Sequence, residues 1–341
     1  MANPGISASD ASAKNFNIVA LETFFTPLPE LAVPSPHTFT LTEYTRTSQD
    51  ELHERIKDAD VLITTAIPLR ADALSVEACP NLKLIAVLAA GTDSVDLAAC
   101  TARGIRVMSS PNCNADVVAE HALALYFAVR RTLLPTMRDL RAGEWPRRGT
   151  LMKGSFVAGK PPRGCRDETA AIIGYGHVGK NLMKLLTGLG MKVIVSGRKG
   201  APAPEGRVTF DEALKTATVI FLCCPRSPET LGLIAAPEFD LMQNDAVLVN
   251  VSRGGIVDEG ALFRALTDGR IHGAGVDVFD IEPAGPETSV LLGSDAEGLN
   301  LVATPHAAWI GGATTSNYQR VLCENINGFI SGKVEADRVR A

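Results

Sequence analysis

Short apolar runs alternate with stretches of helical spacing along most of the chain. In the first part, Asn17–Leu21, Phe39–Tyr44, Val61–Ala66, Leu84–Leu88 and Arg106–Met108 read as strands. Thr47–Lys57, Ala71–Ala78 and Val95–Thr101 read as the helices between them, and Gly104 stands where a helix C-cap is wanted before the next strand. A long helix is expected from Ala115 to Ala142, with Asn114 as N-cap, Val118, Ala122, Leu125 and Val129 on its apolar face, and Pro135 kinking or dividing it. Gly143–Glu168 has no clear period and reads as a long loop. A second alternating set follows. Its strands are Ala170–Ile173, Lys192–Ser196, Val219–Cys223, Ala246–Asn250, Gly273–Val276 and Leu301–Ala303. Its helices are His177–Leu189, Phe210–Lys215 and Glu259–Asp268, and Thr314–Ser331 is a last helix that can pack back on the first part. Strands alternating with helices argue for parallel sheets covered on both faces.

Composition narrows this picture. With 341 residues the chain has room for two domains, and 46% hydrophobic content can fill two cores. A net charge of -5 gives no basic footprint for nucleic acid. No apolar run is long enough to span a membrane. Met1–Lys14 reads as a disordered arm and not a targeting peptide, so the expected compartment is cytoplasmic. The 7 Cys lack metal-type spacing, which predicts reduced thiols and no metal site, and the adjacent Cys223 and Cys224 should point to opposite faces of a strand.

The chemistry concentrates in the second half. Gly174-Tyr-Gly176-His177-Val178-Gly179 lies between an apolar strand and an apolar helix, as a dinucleotide cradle requires. The first Gly makes the turn, the second admits a pyrophosphate, and the third lets helix and strand pack. At the end of the next strand, where a carboxylate would hold the ribose 2′-OH of NAD, stand Ser196, Gly197, Arg198 and Lys199. A hydroxyl and two cations suit a 2′-phosphate, so NADP(H) is the preferred cofactor and NAD(H) a possible one. Arg253, Glu282 and His306 each follow the end of a predicted strand. Alone, each is an ordinary surface residue. Together, at the C-terminal edge of one parallel sheet, they can clamp a carboxylate, move a proton and tune it.

These segments resemble the D-isomer-specific 2-hydroxyacid dehydrogenase family. The resemblance rests on Asn250-Val-Ser-Arg-Gly-Gly-Ile-Val-Asp258, Gly275-Val-Asp-Val-Phe-Asp-Ile-Glu-Pro283 and Thr304-Pro-His306. It extends upstream through Val87–Asp96, Gly104–Val107, Val118–Glu120 and Pro225–Thr230, and spans about Asn17 to Lys333 in order and spacing. The resemblance implies two Rossmann-like or flavodoxin-like domains with parallel sheets and the active site in the cleft between them. Residues 1–111 and 312–341 would form a discontinuous substrate domain, and 112–311 the dinucleotide domain. His306 would be the acid/base, Glu282 its partner, and Arg253 the clamp on a 2-oxo acid. Ala90, Gly91 and Trp309 would also meet substrate. Pro225, Thr230, Val251 and Asp277 would join the cofactor site, Asp277 and Val251 by holding the nicotinamide carboxamide. The helix after Asn114 would build a homodimer. Two departures stand out: most relatives carry a carboxylate where Gly197 stands, and the Gly143–Glu168 segment is longer than the family norm.

The expected activity is NADPH-dependent reduction of a small 2-oxo acid to the D-2-hydroxy acid, of the glyoxylate or hydroxypyruvate type. Bulkier aryl or branched substrates are the rival, with Phe24, Phe25, Ile67 and Trp309 as candidate apolar lining. Formate oxidation is disfavoured, because formate dehydrogenases usually carry Gln where Glu282 stands. A corepressor-like nucleotide sensor is the alternative from another class.

Overall fold

The computed structural model describes residues 13–157, 159–334 and 338–340, so most of the N-terminal arm lies outside the described residues. The chain divides into two compact units, one running to Asn114 and resuming at Gly311, the other spanning Ala115–Ile310. Each is an α/β layer structure on a parallel sheet.

The first unit holds β1 (Asn15–Ala20), β2 (Thr38–Glu43), α1 (Gln49–Ile56), β3 (Val61–Thr64), β4 (Leu84–Val87), α2 (Leu97–Arg103) and β5 (Arg106–Met108). Its strand order is β2-β1-β3-β4-β5, every pair parallel. β3 and β4 are buried along their whole length, which is why they read as unbroken apolar runs. β2 at the edge keeps its alternating Thr residues. Asp96 caps α2 by accepting the Ala99 N–H at 2.9 Å, and Gly104 closes it with φ 67°.

The helix expected over Ala71–Ala78 does not form. The segment is a chain of turns pinned from outside its own backbone: Arg103 donates to the carbonyls of Leu74 (2.8 Å), Ser75 (2.9 Å) and Cys79 (2.9 Å). Single bonds of helical type survive, Leu74 N–H to the Arg70 carbonyl at 3.0 Å and Cys79 N–H to the Ser75 carbonyl at 3.1 Å, but they do not run on into a ladder, and tertiary bonding overrides the local pattern.

The second unit opens with α3 (Ala115–Arg130), α4 (Leu133–Arg141) and α5 (Glu144–Arg148). The expected single long helix is thus broken, and the break falls at Thr132, with φ 48°, ahead of Pro135. Pro135 instead sits in the first turn of α4, where its missing N–H costs no hydrogen bond. The expected long loop also contains structure. Between Gly143 and Gly149, both left-handed, α5 is held by Glu144 pairing with Arg147 (2.5 Å) and Arg148 (2.6 Å). Short 3₁₀ turns at Met152–Ser155 and Cys165–Asp167 follow.

Then come β6 (Thr169–Ile173), α6 (His177–Gly188), β7 (Lys192–Val195), α7 (Phe210–Thr216), β8 (Val219–Leu222), α8 (Ala236–Leu241), β9 (Val247–Asn250), α9 (Glu259–Thr267), β10 (Gly273–Val276) and β11 (Leu301–Ala303). α8 is too short to show a period in the sequence. The strand order β11-β10-β9-β8-β6-β7 reverses direction between β6 and β8, the switch point where open α/β sheets bind ligands. Alternate residues feed two cores: Ala170, Ile172, Val219 and Phe221 pack with α3 and α6, while Ala171, Ile173, Ile220 and Leu222 pack with α7 and α9. The alternation runs on past β8, so Cys223 joins the first core and Cys224 the second. The last helix is α10 (Gly312–Ile330), which belongs to the first unit and donates from Asn325 to the Ser109 carbonyl at 3.0 Å.

The ion pair of Arg130 and Glu168 is buried inside the second unit. Arg130 Nε is 2.6 Å from Glu168 Oε1, both side chains at most 2% exposed. Arg130 also donates to the Asp245 and Thr218 carbonyls, and Tyr126 donates to Glu168, so other hydrogen bonds surround the pair, while Arg130 Nε meets Glu168 as an ion pair without hydrogen-bond geometry. Among the described residues, no helix is long and apolar enough to cross a membrane.

Candidate active site

The glycine-rich turn joins β6 to α6. Gly174, with φ 97°, lies so close to the end of β8 that a Cβ would sit 2.4 Å from the Cys224 nitrogen. Gly176, the N-cap of α6, differs: a Cβ there would meet no atom of the protein. The space before the helix is therefore open, and among the described residues no side chain caps the first-turn amides of His177, Val178 and Gly179. Free N–H groups at the positive end of a 12-residue helix form an anion site, and the opening fits a pyrophosphate.

At the end of β7 the candidate phosphate-binding residues separate. Ser196 is buried and its hydroxyl donates to the Gly197 carbonyl at 2.8 Å. Lys199 pairs with the buried Glu238 at 2.8 Å. Ser196 and Lys199 thus have structural partners, because a buried hydroxyl and a buried carboxylate must each be satisfied. Arg198 is exposed. A cation that sequence reasoning passed over joins it: Arg207 precedes Val208, which pairs with Ser196, and its guanidinium lies 5.8 Å over the Tyr175 ring inside the glycine-rich turn. Its only signal in the sequence was a basic residue ahead of a strand-like pair. Farther along the sheet edge, Thr230 folds the Pro225 loop by donating to the Pro225 carbonyl at 2.8 Å and accepting the Ser227 N–H at 2.7 Å. Val251 is buried just beyond β9.

Beyond β9, Asn250 ties the turn. It accepts from Ser252 N–H at 3.1 Å and donates to the Arg253 carbonyl at 3.1 Å. The half-buried Arg253 itself donates to the Ser252 carbonyl at 2.8 Å. Gly254 then approaches the loop after β10 so closely that a Cβ would fall 1.7 Å from the Phe279 carbonyl oxygen. Only glycine permits that contact, and it lays the Arg253 turn against the segment carrying Glu282. Glu282 accepts the Phe279 N–H at 2.9 Å through one oxygen and meets His306 Nδ1 at 2.7 Å through the other. Burial opposes ionisation of Glu282. The His306 hydrogen bond and charge, the Phe279 N–H and the Arg253 charge outweigh it and hold the carboxyl below its usual range. Arg253, Glu282 and His306 are therefore gathered at one sheet edge. With Nδ1 committed to Glu282, Nε2 is the nitrogen left for a reactant, and the ring is partly open, at 41% exposure.

His306 has φ 52°, an unfavourable backbone for a residue with a Cβ. Asp277, 1% exposed, holds it there. Its carbonyl accepts the His306 N–H at 2.7 Å, and its carboxylate accepts the Ala307 and Ala308 N–H groups at 2.8 and 3.0 Å. Trp309, half-buried, packs on the core shared by α3 and α6. In the first unit, Ala90 and Gly91 are half-buried beyond β4. There Glu22, buried and unremarked in the sequence, accepts the N–H groups of Thr65 and Ile67 at 2.8 and 3.0 Å and fixes the loop after β3. Phe24 is 60% exposed and stacks edge-on against Phe25. Ile67 packs on the core of the first unit.

Residues 123–308 match the family model described as D-isomer specific 2-hydroxyacid dehydrogenase, NAD binding domain. A glycerate dehydrogenase of Methylorubrum extorquens is 38% identical over 298 residues, covering 87% of this chain and 91% of the relative. A glyoxylate reductase of Thermococcus litoralis is 34% identical over 296 residues, covering 84% and 86%. Among solved structures, a D-lactate dehydrogenase of Aquifex aeolicus complexed with NAD and lactic acid matches with TM-score 0.71 and 25% identity, covering 86% of this chain and 90% of that one.

Proposed function

Because the chain belongs to the D-isomer-specific 2-hydroxyacid dehydrogenase family, and so is an NAD(P)-dependent oxidoreductase, we propose that it reduces a small 2-oxo acid to the D-2-hydroxy acid with NADPH. The observation that carries the proposal is the convergence of Arg253, Glu282 and His306, with Glu282 Oε2 2.7 Å from His306 Nδ1.

The amides of His177 and Val178 with Gly174, Gly176 and Gly179 would hold the pyrophosphate, and Pro225, Thr230 and Val251 would line the path to the nicotinamide. When bound, the cofactor supplies the hydride. Arg253 binds the substrate carboxylate and polarises the adjoining keto oxygen through its planar fork. The family resemblance would give the remaining carboxylate oxygen to N–H groups of Ala90 and Gly91. His306 delivers a proton from Nε2 to the C2 oxygen, while Glu282 fixes the ring and favours its charged form. In the reverse direction the same nitrogen takes the proton back. Trp309 sits three residues beyond, as candidate substrate lining.

The NADP preference is supported by Arg198 and Arg207, both exposed and both beside the turn where a ribose carboxylate is missing. Glyoxylate and hydroxypyruvate are the favoured substrates, supported by the names of the glycerate dehydrogenase and glyoxylate reductase relatives. A homodimer is supported by α4. That helix buries none of its residues and exposes Leu133, Leu134, Met137 and Leu140, beside exposed Trp145 and Met152. An apolar surface of this extent favours a second copy.

Steady-state reduction of a panel of 2-oxo acids with NADPH and NADH tests the reading. Turnover of glyoxylate and hydroxypyruvate ahead of branched or aryl acids is expected. Preference for the bulky acids would shift the substrate class, and nucleotide binding without turnover would favour a sensor.

A further inference from the structure

The hydrogen bonds that hold the His306 turn reach one residue beyond those already placed. Thr304, at the end of β11, donates its hydroxyl to Asp277 Oδ1 at 2.6 Å. A hydroxyl has one hydrogen, and at this distance it is committed to the carboxylate. Its oxygen must therefore accept from the other partner, His121 Nε2, at 2.9 Å. That fixes the imidazole with its proton on Nε2. The same ring nitrogen lies 3.7 Å from Asp277 Oδ1, so its N–H dipole also stands close to the carboxylate.

A chain that converges on Asp277 results: His121 donates to Thr304, Thr304 donates to Asp277, and Asp277 accepts from the backbone of His306, Ala307 and Ala308. It crosses from α3 to the ends of β11 and β10. The last link holds a residue with φ 52°, a conformation that costs roughly 1–3 kcal/mol and persists only when its surroundings enforce it. The carbonyl bond to His306 N–H does not depend on the side chain, but the bonds to Ala307 and Ala308 that follow it in the turn require the carboxylate to be held in one rotamer. The two N–H groups and the Thr304 hydroxyl do that, and the hydroxyl is aimed by His121.

We propose that His121 is a positioning residue for the proton donor: it aims the Thr304 hydroxyl, which locks Asp277, which sets the His306 turn. The inference rests on the proposed role of His306. His121 touches no reacting atom, so its loss should slow the proton step and leave substrate binding to Arg253 intact.

The test uses the full chain, glyoxylate and NADPH. His121→Phe keeps a flat ring and removes the donor, and Thr304→Val removes the hydroxyl at equal shape. Each should lower kcat about tenfold, since misplacing a reacting group by about 1 Å costs up to a hundredfold. KM for glyoxylate should stay within about twofold, because Arg253 is untouched. His121→Gln, which retains a donor, should restore most of the loss. The double variant should be no slower than Thr304→Val alone, as links of one chain are not additive. Melting temperatures near the parent value confirm that the variants fold. Parent-like kcat in His121→Phe, no rescue by Gln, or multiplying losses in the double variant would overturn the inference. His306→Ala, measured alongside, separates the two levels: if it stays active, the proposed mechanism fails, whereas a dead His306→Ala beside an unaffected His121→Phe defeats only the role of His121.

Discussion

Glu282 Oε2 and His306 Nδ1 lie 2.7 Å apart although the two residues follow different strands, β10 and β11. Both groups are partly exposed, at 33% and 41%, so the contact is open to a reactant and is not a packing bond. Glu282→Gln keeps the shape and removes the charge. We expect kcat to fall by roughly a hundredfold, the scale of positioned acid–base catalysis, with a small change in KM. A kcat equal to the parent value, measured under saturating substrate, would break the pairing.

Cofactor choice should rest on Arg198 and Arg207. A charge-assisted hydrogen bond is worth about 1.5–3 kcal/mol, and exposure trims it. Arg198→Ala and Arg207→Ala should each weaken NADPH binding by about tenfold and leave NADH alone. Lys199→Ala should also lower stability, since it removes the cation paired with the buried Glu238. Gly197→Asp is a poor way to reverse the preference, because a Cβ there already lies 3.3 Å from Ala203 Cα and the Val208 carbonyl. Fluorescence titration with both nucleotides distinguishes these outcomes, and an NADH preference in the parent would end the NADP proposal.

The apolar face of α4 predicts self-association. Leu134→Glu with Met137→Glu should convert a dimer into a folded monomer, read as molar mass by light scattering. A parent protein that is monomeric at micromolar concentration would contradict it.

Acid stability should carry the mark of His272. Burial, and then the charge of Arg130, lowers its pKa from 6.5 to about 4. The unfolded chain therefore takes up a proton across that window that the folded chain refuses. Stability must fall as pH drops from about 6.5 to 4, and this contribution is full above 6.5. His272→Asn should flatten that part of a melting-temperature profile, and an unchanged acid slope would assign the effect elsewhere.

Much of this was legible because each signal was local. The strands of both sheets show as apolar runs, the cradle as spaced glycines, and the Asp96 and Gly104 caps as single residues. What stayed hidden depends on partners distant in sequence. Arg103 ties the Leu74 and Ser75 carbonyls where a helix is expected, and Glu238 gives Lys199 a buried partner. His121 looks like a polar residue on an apolar helix until Thr304 is brought beside it. The same holds for Asp277. Its place in the Gly275–Pro283 motif suggests a contact to the nicotinamide, but the three bonds by which it holds the turn of His306 show only in the structure.

The central claim is that His306 protonates the C2 oxygen of a 2-oxo acid. Its most direct test is kcat for glyoxylate and hydroxypyruvate reduction, at saturating NADPH near pH 7, in the parent and in His306→Ala. The account predicts turnover by the parent, a D-configured product from hydroxypyruvate, and a loss of roughly 10²–10⁴-fold in the variant with nucleotide binding intact. Turnover by His306→Ala at the parent rate would contradict it.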